Sequence, residues 1–179
     1  MIVEAQVTVD GSKEAIWAVI TDIENASETV SGIEQVELLE KPESGLVGLK
    51  WRETRTLFGK TATEEMWITD AAENEFYTTR AESHGFIYTS TISISEQDNR
   101  ISLTMTHVSK PRGFLARLLS IPMGVVFKGV MKKALLQDLN DLKGVVERQE
   151  GERSARQPGA ADGPLRGPPL NRGVRLTKR

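Results

Sequence analysis

The chain has 179 residues, 23 of them basic and 25 acidic, with no cysteine and two histidines. That composition excludes disulfides, thiolate chemistry and a cysteine-ligated metal, and it leaves too few histidines for a histidine-rich metal site. The net charge of −2 hides an asymmetry: residues 1–147 carry −7 and the stretch from Arg148 onward carries +5. An acidic domain repels nucleic-acid phosphates, so no nucleic-acid partner is expected through the fold.

The opening MIVEAQVTVDG has neither a basic n-region nor an apolar core, so it does not read as a signal peptide. No apolar run reaches the length of about eighteen residues that a membrane span needs. The expectation is a soluble, cytoplasmic domain with no metal and no cofactor.

Ile2 to Val9 alternates as a strand. Asp10-Gly11-Ser12 is a turn with an N-cap at Ser12, and a short helix follows through Ile16, Trp17, Val19 and Ile20. Ile23 to Ser31 reads as a second short helix ended by Gly32. Ile33 to Glu40 is a strand, broken by Lys41-Pro42-Glu43-Ser44-Gly45.

An antiparallel meander then occupies residues 48–57, 61–69, 75–83, 86–95 and 100–109, with short connections rich in turn formers. Gly45-Leu46-Val47-Gly48 is no phosphate loop, because it lacks the lysine and hydroxyl and leads into a strand.

Alternation divides the meander into two faces. Thr54, Thr56, Thr63, Thr89, Thr91, Thr104 and Thr106 share one, which belongs in water. The other carries Trp51, Glu53, Arg55, Glu64, Met66, Tyr88, Ser90, Met105 and His107. A two-residue turn at Gly59-Lys60 sets Arg55 opposite Glu64. A two-residue turn at His84-Gly85 puts Tyr77 and Ser83 inside, and a turn near Asp98 sets Tyr88 opposite His107.

Phe114 to Ile121 suggests a short apolar helix, stopped at Pro122. Met123 to Glu147 reads as one long amphipathic helix, with Val126, Val130, Leu135, Leu139, Leu142 and Val146 as its stripe. It would be about 37 Å long, more than the strands, and so lies across the sheet. From Arg148 apolar periodicity stops and proline, glycine and arginine accumulate, which predicts a disordered tail over 148–179 beyond a domain of residues 1–147.

A strand, two short helices, six strands and a long C-terminal helix make an α+β helix-grip arrangement. The chain resembles the SRPBCC superfamily, which includes START lipid-transfer domains, birch-pollen-type allergens and polyketide cyclases/dehydratases. The likeness covers residues 1–147. It rests on Val19-Ile20-Thr21-Asp22-Ile23-Glu24-Asn25, Gly45-Leu46-Val47-Gly48, the stretch Trp51 to Lys60, and Ala62-Thr63-Glu64-Glu65. Ser83-His84-Gly85-Phe86-Ile87-Tyr88 and Asp138-Leu139-Asn140-Asp141-Leu142-Lys143 add to it. The resemblance implies a curved antiparallel sheet of about seven strands around the long helix, with a cavity between them for a hydrophobic small molecule. It does not imply one reaction.

The first expectation is therefore a binding protein for a lipid-, polyketide- or aromatic-like molecule. Its pocket would use Trp51, Met66, Tyr77, Tyr88, Ser90, Met105, His107, Val126 and Val130, with Glu53, Arg55 and Glu64 as polar anchors. The same inward charges also fit a structural ion-pair network that stiffens the sheet. The alternative is a cyclase/dehydratase-type enzyme with Glu53 or His107 as base and Arg55 as electrostatic partner. A third reading is a membrane- or protein-interaction module using residues 114–127. Within the long helix, Met123 to Met131 reads as the cavity's wall and a candidate gate, and Leu135 to Val146 as the part that holds the fold shut.

Overall fold

The computed structural model describes residues 1–57, 59–83, 85–112 and 124–156, with the side chains of Leu57 and of residues 124–126 left out. The expected helix at 114–121, the turn residue His84 and the interaction segment up to residue 126 lie outside these residues or their described side chains. So does the tail from 157 onward.

Seven strands form one antiparallel sheet: β1 (Ile2–Val9), β2 (Ile33–Glu40), β3 (Lys50–Leu57), β4 (Lys60–Ala72), β5 (Phe76–Ser83), β6 (Phe86–Gln97) and β7 (Arg100–Pro111). Their order is β1-β7-β6-β5-β4-β3-β2, so the meander is continuous and β1 closes it by pairing with β7. Between β1 and β2 run α1 (Lys13–Thr21), a 3-10 turn (Ile23–Asn25) and the single turn α2 (Ala26–Thr29). The long helix is α3 (Gly124–Arg156).

The local chemistry explains the punctuation. Ser12 caps α1, its Oγ accepting from the Ala15 N–H at 3.1 Å. Asn74, Asp98, Asn99, Gly59 and Gly85 hold the positive φ values that the tight turns require. Register shifts between Ile33 and Gln35, Leu38 and Glu40, and Ile68 and Asp70 are bulges, which bend the strands that line the helix side. The face assigned to water carries Thr54–Thr63 and Thr78–Thr91 hydroxyl pairs, each at 2.9 Å, and Arg52 bridging Glu37 and Glu65.

Two registers differ from expectation. Glu53, not Arg55, lies opposite Glu64, and Ser90, not Tyr88, lies opposite His107. Each is a shift of two residues, which leaves every side chain on its expected face. The second short helix is also broken in two, with Asp22 and Asn25 at the junctions.

Helix α3 does not stop at Glu147. Residues 148–156, expected to begin a disordered tail, extend it by more than two turns. Those turns are solvated and carry Arg153–Glu150 and Arg156–Glu152 ion pairs at 3.3 and 3.7 Å. An apolar stripe marks only the buried part of a helix, so periodicity ended before the helix did.

The stripe of α3 packs Leu135, Leu139, Leu142 and Val146 against Val3, Ala5 and Val9 of β1, Leu103 of β7, and Ile16 and Ile20 of α1. The turn after β1 fits under this helix closely. A Cβ on Gly11 would sit 2.8 Å from Val146 Cγ1, on a side chain that is itself fully buried. Gly11→Ala is therefore expected to destabilise the protein by about 1–3 kcal/mol through overpacking. Gly129→Ala, exposed on α3 with open space around it, is expected to stabilise it by up to about 1 kcal/mol. Urea unfolding of the pair reads opposite signs; a Gly11→Ala midpoint at or above wild type contradicts the contact.

Candidate functional site

Between the inner face of the sheet, the α1–α2 segment and α3 lies a cavity of about 230 Å³. Its walls are mostly apolar: Ile20 and Ile23 before β2, Trp51 and Met66 on β3 and β4, Ile92 and Met105 on β6 and β7, and Met131, Leu135 and Leu142 on α3.

Of the residues singled out from sequence, Trp51, Glu53, Arg55, Glu64 and Met66 line this space, as do Tyr77, Ser90, Met105 and His107. Tyr88 and Val130 are not in its lining, and the Val126 side chain is not described. The helix instead presents Met131, Leu135, Asp138 and Leu142, spaced i, i+4, i+7 and i+11 along one face. Val130 is one residue, or about 100°, away from that face. The expected wall at Met123 to Met131 thus touches the cavity, among described side chains, through Met131.

The inward charges form two groups. In the first, Glu53 on β3 accepts from Arg55 Nε and, at 3.2 Å, from Trp51 Nε1. Arg55 Nη1 also donates to Asp138 Oδ2 on α3 at 2.9 Å. Glu53 and Asp138 are buried, 7% and 5% exposed, so this triad ties sheet to helix across the cavity. Burial works against the Arg55 charge, but Glu53 and Asp138 outweigh it and move its pKa upward. Burial raises the Asp138 pKa, and Arg55 offsets that only in part.

Asp138 was not among the expected site residues. Its signal was position: three residues after Leu135 and four before Leu142, it falls inside the apolar stripe. Arg55 was expected to pair with one or both of Glu53 and Glu64; it pairs with Glu53 and with Asp138.

The second group lies on β4 to β7. Glu64 Oε1 accepts from Ser83 Oγ at 2.7 Å. His107 Nδ1 and Ser90 Oγ are 2.8 Å apart, and the imidazole stacks on Tyr88 with ring centres at 5.8 Å. His107 Nε2 is buried without a hydrogen-bond partner. A buried ring nitrogen with no partner is costly, and His107 is one of the residues that line the cavity. Tyr77, by contrast, spends its phenol on the Ile20 carbonyl at 3.1 Å, and burial, with Glu53, pushes its pKa well up.

Burial lowers the His107 pKa; Glu64 opposes this and the Met1 ammonium adds to it. The folded protein therefore binds a proton here less readily than the unfolded chain. The resulting contribution to stability is present above the ordinary value of 6.5 and is lost as pH falls through the folded value. NMR titration of His107 is expected to give a midpoint below 6.5, and His107→Gln is expected to flatten the acid-side loss of stability. A midpoint above 6.5 contradicts the buried, neutral ring.

Among the described residues, no group of histidine, aspartate and glutamate is arranged to hold a metal, and no helix is long and apolar enough to cross a membrane.

This geometry has relatives. The fold is similar to that of a START superfamily protein from Mycobacterium smegmatis, with 19% identity, TM-score 0.68, and 83% of this chain and 98% of that one covered. It is similar to the Zhui aromatase/cyclase from Streptomyces sp. R1128, with 19% identity, TM-score 0.64, and 84% and 95% covered. A protein from Thermus thermophilus aligns with 12% identity, TM-score 0.68, and 83% and 99% covered. At such identities the likeness is one of fold. No curated protein sequence matches this chain. A family model described as polyketide cyclase / dehydrase and lipid transport matches residues 1–147, the span that builds the sheet, the cavity and the buried part of α3. The chain belongs to that family, within the SRPBCC superfamily.

Proposed function

We propose that the protein binds a small, mainly apolar molecule in the cavity between the sheet and α3, with one polar edge of that molecule hydrogen-bonded to His107 Nε2. The observation that carries this reading is a mostly apolar cavity with His107 in its lining, the Nε2 of that ring being buried without a partner. A ligand would satisfy it, and small-molecule sites typically combine apolar walls with a few placed polar groups. The volume of about 230 Å³ is below the usual range for drug-sized ligands, which favours a monocyclic or bicyclic molecule.

Calorimetric titration with 2-naphthol and naphthalene tests the role of His107. His107→Phe keeps an aromatic ring against Tyr88 but removes both ring nitrogens. It is expected to weaken 2-naphthol roughly tenfold, the worth of one buried hydrogen bond, and to leave naphthalene unchanged. Equal affinity of wild type and variant for 2-naphthol contradicts the proposal.

A cyclase or dehydratase remains the second reading, and one observation favours it: the imidazole is held neutral beside the cavity, as a general base must be. Glu53 suits that role poorly, since both its oxygens accept hydrogen bonds from Arg55 and Trp51. Turnover of a poly-β-ketone substrate that His107→Gln abolishes and Glu53→Gln preserves would establish it.

A further inference from the structure

The charged lining of the cavity is unbalanced. Asp22, Glu53, Glu64 and Asp138 face it, against Arg55 as the one cation among the described residues that line it. Arg55 is already taken by two carboxylates, one from the sheet and one from the helix. The Met1 ammonium, which acts electrostatically on His107, donates to the Ser109 carbonyl at 2.7 Å and is not part of the lining.

Protonation of Asp138 would not restore balance: Glu53 then neutralises Arg55, and Glu64 and Asp22 are left over. Asp22 is exposed and accepts from Asn25 Nδ2, so solvent screens it. Glu64 is the uncompensated charge nearest the polar end. Its single described hydrogen bond is to the neutral Ser83 hydroxyl, and it acts electrostatically on both His107 and Tyr88.

We propose that this cavity discriminates by charge: it takes neutral hydrogen-bond donors or ammonium-bearing apolar molecules, and it rejects carboxylates and other anions, with Glu64 as the residue that sets the discrimination. The proposal rests on the binding reading above and narrows it to a ligand class. An anionic head entering the cavity finds no free cation among the described residues and must approach Glu64 across a part-dehydrated space, where like charges a few Å apart cost at least about 1 kcal/mol. A hydroxyl or ammonium head meets the reverse situation. It donates to the Glu64 carboxylate, and a hydroxyl can also pair with His107 Nε2, as donor or acceptor according to the ring's tautomer, since the Ser90 hydroxyl suits either one at Nδ1. The apolar walls contribute equally to all three ligand types, so the head group decides.

The test uses the full chain at pH 7 and three probes of one size: 2-naphthol, 2-naphthylmethylamine and 2-naphthoate, titrated by calorimetry. The alcohol and the amine are expected to bind roughly tenfold or more tightly than the acid. Glu64→Gln removes the charge and keeps an acceptor for Ser83; it is expected to bring the acid to within about threefold of the alcohol and to weaken the amine. Naphthoate binding as tightly as naphthol to wild type overturns the discrimination while leaving the cavity reading intact. A preference that survives Glu64→Gln unchanged overturns the role of Glu64. Absence of binding by all three probes overturns the cavity reading and this proposal with it. Thermal unfolding of the variant, expected within a few degrees of wild type, shows that any change in affinity is not a loss of fold.

Discussion

Replacing Arg55 by methionine is expected to lower the unfolding free energy by about 3 kcal/mol. Removing one partner of a buried ion pair costs about 3–5 kcal/mol, and the low end applies because the Arg55 side chain is still 25% exposed. For a domain of this size that is a melting temperature roughly 6–12 °C lower. The cause is what the variant leaves behind: Glu53 and Asp138, both buried, with no cation between them. Neutralising them in the same background, as Arg55→Met with Glu53→Gln and Asp138→Asn, is expected to recover most of the loss.

The deficit of the single variant also depends on pH. Without the guanidinium nothing offsets the burial that raises the Asp138 pKa in the folded state, so acid stabilises the variant relative to its neutral-pH state. The deficit therefore shrinks as pH falls towards the ordinary aspartate value of 3.8 and is fully developed above the raised folded value of Asp138. A melting temperature unchanged by Arg55→Met, or a deficit that grows in acid, contradicts the triad as a structural tie. If affinity for the naphthyl probes falls with no loss of stability, Arg55 is a ligand anchor instead.

The sheet was legible in the sequence because alternation has a period of two and its inner face carries Trp51, Met66 and Met105 where the outer one carries threonine. The same period explains what was misread. A slip of two residues preserves the face of every side chain, so nothing in the alternation separates Glu53 opposite Glu64 from Arg55 opposite Glu64. Asp138 escaped for another reason. Counting aspartate as a surface residue removes it from the helix stripe, although its spacing from Leu135 and Leu142 places it there. A buried charge on a helix becomes visible only beside its partner, and that partner, Arg55, is 83 residues away. Val130 was named for the helix-side wall because it suits an apolar stripe as well as Met131 does, and only the docked orientation of α3 decides between neighbouring residues. The orphan nitrogen of His107 has no sequence signal at all; it is seen only once the buried ring is placed, with Ser90 at Nδ1 and no partner at Nε2.

On α3, Leu135 and Leu142 belong to both the packed core and the cavity lining, whereas Leu139 belongs to the core alone. Leu139 is fully buried, packs in the cluster formed with β1 and α1, and is absent from the cavity lining. Leu139→Ala is expected to cost about 3–5 kcal/mol, since a fully enclosed leucine leaves a void that the strand and helix around it cannot close. Met131 lines the cavity and is only half-buried. Met131→Ala is expected to cost about 1–2 kcal/mol, because less of the side chain leaves a packed environment. The two changes are expected to part company in binding. At a temperature where both variants are folded, Leu139→Ala keeps the wild-type affinity for 2-naphthol. Met131→Ala enlarges the void and shifts preference from bicyclic towards tricyclic alcohols. Urea unfolding combined with titration of 2-naphthol and 2-anthrol reads both effects. If Leu139→Ala changes the size preference as much as Met131→Ala does, the buried stripe and the cavity wall are one cooperative surface, and their separation along α3 is wrong.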